Sequence, residues 1–140
     1  MKVFLVFLGL LIINTGFLAY QGDLGRYVRC QIFMKALAEE CAAGAALYYD
    51  EEAYSDGELR FYYDESREYI EFLLEESRDR MPLPKGSALY YEAVFEDDLL
   101  GYEENPSVTV SLTAQTEDLF RLPFLEVTEI KRAAKYEMPQ

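Results

Sequence analysis

Residues 3–20 read VFLVFLGLLIINTGFLAY, eighteen residues without a charge. No other stretch narrows the folds open to this chain as far. As a helix it spans about 27 Å, close to the ~30 Å hydrocarbon layer of a bilayer. Its apolar surface comes from Val3, Phe4, Leu5, Phe7, Leu8, Leu10, Leu11, Ile12, Ile13, Phe17 and Leu18. Asn14, Thr15 and Gly16 weaken the run, yet such residues are tolerated in spanning helices. Tyr20 falls where an interfacial aromatic sits. Lys2 flanks one end, while Arg26 and Arg29 lie beyond the other. The positive-inside bias is therefore nearly balanced. A lysine ahead of an apolar run favours a cytoplasmic N-terminus and an outer C-terminal body. A retained anchor, a cleaved secretory signal and a buried core helix all share this composition. Residues 14–22 offer no small-x-small cleavage pattern, which favours the anchor. The expected division is an anchor over residues 1–22 and an extracytoplasmic domain over 23–140, in a single-pass cell-membrane protein.

The rest of the chain is of ordinary domain size, and 51% hydrophobic content suffices for a core. Charge is unevenly placed. Residues 1–49 carry a net +1, residues 50–104 a net -13, and residues 105–140 a net -1. Such a surface repels phosphate backbones, which argues against nucleic acid as a partner. It suits solvation, or a cationic or basic ligand. The chain has no histidine, which excludes serine–histidine and cysteine–histidine catalysis. There is no phosphate loop, no G-x-G-x-x-G and no C-x-x-C. Asp97-Asp98 and Glu103-Glu104 flank a loop, but EF-hand spacing is missing, so a solvated loop is preferred to a calcium site. Eighteen acids within 55 residues make carboxylate pairs inevitable by chance, so glycosidase-type pairing carries no weight. The expectation is a protein that is not an enzyme, with no catalytic residue, cofactor, metal or small-molecule substrate.

Beyond the apolar run, Leu24, Tyr27, Val28, Met34, Leu37, Ala38, Cys41, Ala42 and Ala45 recur at spacings of three, four and seven. That is one apolar helix face. A nearly continuous helix from about Val3 to Tyr48 is expected, with Gly22 and Gly25 open to a bend. Ser55-Asp56-Gly57-Glu58 fits a capping box, with Asp64 as an alternative helix start. Tyr69, Ile70, Leu73 and Leu74 form the apolar stripe of this second amphipathic helix. Pro82 and Pro84 end it. Residues 88–95 are rich enough in aromatic and branched side chains for a strand. Residues 97–106 read as a polar loop. Residues 107–114 alternate strictly between polar and apolar, the mark of a half-buried strand. Residues 119–124 read as an apolar connector that would cap the core or meet a partner. Residues 127–136 suit a third strand, although 131–135 would also suit a helix. The fold class is α+β: a long N-terminal helix, a second amphipathic helix and an antiparallel sheet of three to four strands.

Cys30 and Cys41 are eleven residues apart. On one helix that separates their Cα atoms by about 16 Å, beyond the ~7 Å limit of a disulfide. They are either two small core residues or a contact between subunits. Tyrosine doublets occur at 48–49, 62–63 and 90–91. In a strand, one ring of Tyr90-Tyr91 turns inward and the other outward. Cys30, Cys41, Tyr90 and Tyr91 are thus the candidate partner surface.

The segment 29–47, RCQIFMKALAEECAAGAAL, resembles the Ala-rich stretch that follows the membrane helix in TadE/TadG-like minor pseudopilins of tight-adherence (Flp-type) pili. Phe61-Tyr62-Tyr63-Asp64 before a helix, Val108-Thr109-Val110 in a strand and a closing strand with Ala133-Ala134 follow in the same order. The resemblance implies a pilin-like α+β domain and a non-enzymatic role in assembling a Tad-like pilus or secretion apparatus. Membrane lipid and other pilus or secretion-system subunits are the partners it implies. The alternative is a secreted or anchored module whose acidic 50–104 surface takes a basic or cationic ligand.

Overall fold

A computed structural model describes residues 1–84, 86–116 and 128–138. The first helix, α1, runs unbroken from Lys2 to Ala45, and Gly22 and Gly25 do not interrupt it. Its two halves meet different surroundings. None of residues 1–22 is buried. From Cys30 onward, Met34, Leu37, Ala38, Cys41, Ala42 and Ala45 form a buried stripe. Those residues recur every three or four positions, so they share one side of a 3.6-residue helix. Leu24 and Val28, expected on the same face, remain exposed. The core stripe begins only where other elements reach α1.

The chain then turns through Asp50, whose Oδ1 accepts from the Glu52 and Ala53 N–H groups at 3.0 and 3.2 Å. This caps a five-residue helix, α2, Glu51–Ser55. Ser55 therefore closes a helical turn, and the expected Ser55–Glu58 capping box does not form. Gly57, at φ 89°, takes the left-handed conformation that ends the turn. The amphipathic helix, α3, runs from Tyr63 to Arg78, closer to the Asp64 alternative. Ser66, Ile70, Leu73, Leu74 and Ser77 are its buried residues. The small serines let α3 approach α1 closely. Ser66 Oγ also donates to the Ala45 carbonyl at 2.9 Å, which accepts the Tyr48 N–H at 3.2 Å as well, so the first turn of α3 is tied to the end of α1.

Three strands follow: β1 Ala88–Glu96, β2 Ser107–Gln115 and β3 Glu129–Glu137. They form an antiparallel sheet in the order β1-β2-β3, with Val94 opposite Thr109 and Val110 opposite Ala134. Residues 131–135 thus belong to a strand. Alternation sends Val108, Val110, Leu112 and Ala114 of the central strand inward, where they are buried. That face meets α1, and α3 packs on α1 alongside. The fold is α+β. The expected connector at 119–124 and the residue Val127 lie outside the described residues.

Candidate functional site: an exposed apolar helix and a far end held by Asp97

Among the described residues, one helix is long and apolar enough to cross a membrane, Lys2–Ala45, and its most apolar stretch is not buried at all. The eleven predicted anchor residues are between 40% and 84% exposed. A soluble core helix hides one face, and this stretch hides none. Thr15 Oγ1 donates to the Leu11 carbonyl at 2.8 Å, so its hydroxyl is satisfied without water. Charge returns about two turns further on at Asp23, which is buried, and then at Arg26 and at Arg29, whose Nε donates to the Gly25 carbonyl at 3.4 Å.

The opposite end of the domain is organised around a residue that sequence reasoning assigned to a solvated loop. Asp97 is 0% exposed. Its Oδ2 accepts from the Tyr63 hydroxyl at 2.6 Å and the Phe61 N–H at 3.1 Å. Its Oδ1 accepts from the Leu99 and Leu100 N–H groups at 3.0 and 2.9 Å. One carboxylate thereby joins the start of α3, the segment before it and the loop after β1. Burial pushes the Asp97 pKa up. The Tyr63 hydroxyl and the Leu100, Phe61 and Leu99 N–H groups outweigh burial and hold it below its ordinary value. Burial and the same bond to Asp97 push the Tyr63 phenol up. The available sequence signal was local. An aspartate leaving a strand, followed by Gly101 at φ 94°, is a turn signature. Gly101 N–H indeed donates to the Asp97 carbonyl at 2.7 Å. Rings seal this corner: Phe95 lies 5.0 Å from Tyr63 and 5.9 Å from Phe61 between centroids. The Arg67 guanidinium sits 5.6 Å from the Phe95 centroid.

The four candidate partner residues are divided by the fold. Cys30 and Cys41 are both fully buried, which corrects their assignment to a partner surface. They fall on the core stripe of α1, three turns apart, and face the same interior. The Cys30 thiol donates to the Pro82 carbonyl at 2.8 Å, and both cysteines are free. Burial pushes Cys30 up, and burial with Glu40 nearby pushes Cys41 up to about 12. Both stay protonated and weakly nucleophilic at neutral pH. Tyr90 turns outward and is 55% exposed. Tyr91 turns toward α3, and its hydroxyl donates to Glu71 Oε1 at 2.8 Å.

Among the described residues, no group of three acidic, cysteine or histidine side chains is placed to hold a metal. Asp97 has its oxygens committed to the protein, and Asp98 Oδ2 accepts from the Leu59 N–H at 2.6 Å. The chain matches no family model, no curated protein and no solved structure, so the use of these two ends rests on their own chemistry.

Proposed function

We propose that this protein is a non-enzymatic, single-pass membrane protein. It holds its α+β domain outside the cytoplasm as a pseudopilin-like component, or accessory factor, in the assembly of a Tad-like pilus or secretion apparatus. The observation that carries this is the uniform exposure of the apolar residues between Val3 and Leu18. Leaving that much hydrocarbon in water is unfavourable, at about 25 cal/mol per Å², and lipid removes the penalty. The order of the elements, a membrane-length helix continuing into an α+β domain, supports the pilin-like part of the proposal. The lack of histidine and the protonated, buried cysteines support a structural role over a catalytic one.

Leu8→Glu places a carboxylate mid-span, at a cost of about 2.5–3.5 kcal/mol. The variant is expected to leave the membrane pellet on alkaline carbonate washing, whereas the parent stays. Retention of the variant would remove the anchor from consideration. Protease added to intact spheroplasts should digest the domain, and protection would reverse the orientation. Loss of surface fibres or secretion on deletion, with co-purification of pilus-type subunits, is the outcome expected of an assembly role.

A further inference from the structure

At the end of the domain remote from the apolar span lies a cleft of about 420 Å³. Three parts of the chain build it. Tyr54, Glu58 and Leu59 come from α2 and the segment after it, Asp98 and Tyr102 from the loop after β1, and Met138 from the end of β3. Backbone bonds hold these walls together. Asp98 N–H donates to the Leu59 carbonyl at 3.0 Å, while Leu59 N–H returns a bond to Asp98 Oδ2 at 2.6 Å. Met138 N–H donates to the Pro106 carbonyl at 2.8 Å. The cleft is therefore preformed.

Its lining combines two carboxylates, two phenol rings and the apolar side chains of Leu59, Pro106 and Met138. Glu58 is already paired with the chain's own Arg60 guanidinium at 2.6 Å, which leaves Asp98 as the lining carboxylate for an incoming cation. In the segments that carry the lining residues, Glu51, Glu52, Asp56, Glu103 and Glu104 are all exposed, and their charge turns anions away. Tyrosine faces attract cations further. The volume exceeds one side chain, and Leu99 and Leu100 stand exposed beside the cleft, ready for apolar neighbours of an inserted residue.

We infer that this cleft binds a lysine or arginine side chain carried by a partner protein. The cation meets Asp98, its aliphatic stem lies along Leu59 and Met138, and the rings of Tyr54 and Tyr102 flank it. Membrane attachment is not required for the contact, so it stands or falls apart from the Leu8→Glu fractionation.

The probe is a fluorescein-labelled Ala-Leu-Lys-Leu-Ala peptide, titrated by fluorescence polarisation against the full chain in zwitterionic micelles, with empty micelles as blank. Saturable binding is expected, and replacing the lysine by norleucine should weaken it about tenfold. Asp98→Asn keeps an acceptor for the Leu59 N–H and should also weaken binding about tenfold, with a single cooperative melting transition retained. Tyr54→Ala should weaken it several-fold. Glu76→Gln removes one exposed charge from α3, away from the lining, and should leave binding unchanged. Equal weakening by Asp98→Asn and Glu76→Gln would overturn the site in favour of diffuse attraction. Lysinamide competing as tightly as the peptide would overturn the protein-segment occupant in favour of a small cation.

Discussion

Asp97 shows how much one side chain can carry. It accepts four hydrogen bonds from residues spread between positions 61 and 100. Asn at this position offers a single acceptor oxygen and points an N–H₂ group at existing donors. Asp97→Asn should cost about 1–3 kcal/mol in urea or thermal unfolding. The pH dependence follows from the directions of the shifts. The folded Asp97 value lies below the ordinary 3.8, so its contribution is full above about pH 4 and is lost as pH falls through the folded value. The folded Tyr63 value lies above the ordinary 10.0, so that contribution is full below pH 10 and lost on further alkalinisation. Stability curves of parent and Asp97→Asn should converge in acid, and parallel curves would contradict the assignment. The sequence revealed the turn around Asp97 but not its partners. Phe61 and Tyr63 are 36 and 34 residues away, and no local pattern reports a bond of that span. The cysteines stood between two readings, core residue or subunit contact, and the fold makes them core. Their spacing correctly placed them on one side of a helix, while which side faced the interior depended on what packed there.

Elements were legible wherever periodicity was strong. Residues 107–114 alternated cleanly and form β2, and the stripe from Met34 to Ala45 is the buried side of α1. Boundaries set by competing caps were not. Ser55 and Glu58 have capping chemistry, yet Asp50 caps the two amides ahead of them and starts a short helix that runs through Ser55, so the box cannot form. Close packing was equally invisible. A β-carbon on Gly44 would overlap the ring of Tyr69, which itself packs on Tyr48 at 5.7 Å between centroids. Alanine ordinarily favours a helix over glycine by up to about 1 kcal/mol, but overpacking costs about 1–3 kcal/mol. Gly44→Ala should therefore destabilise the parent. In a Tyr69→Ala background the overlap is gone, and the same change should stabilise. A double-mutant cycle in urea reads the reversal, and the same sign in both backgrounds would refute the contact.

For the whole molecule, the decisive feature is that α1 belongs to two environments. Met34 is fully buried while Leu11 is 51% exposed. Met34→Ala should cost about 2–5 kcal/mol, whereas Leu11→Ala should leave the urea midpoint in detergent unchanged. A shared shift would mean that the apolar span helps to fold the domain. The charge map separates the ends as well: the first 49 residues carry a net +1, and the acidic excess lies in residues 50–104. Because α1 is unbroken over 44 residues, the domain has no swivel at the bilayer surface. Set in lipid as proposed, the helix is a rigid lever about a pivot near its eleventh residue. A tilt of ~20°, ordinary for spanning helices, would carry the far end sideways by about 17 Å. Bilayer thickness, which governs that tilt, thereby becomes a control on where the acidic cleft is held.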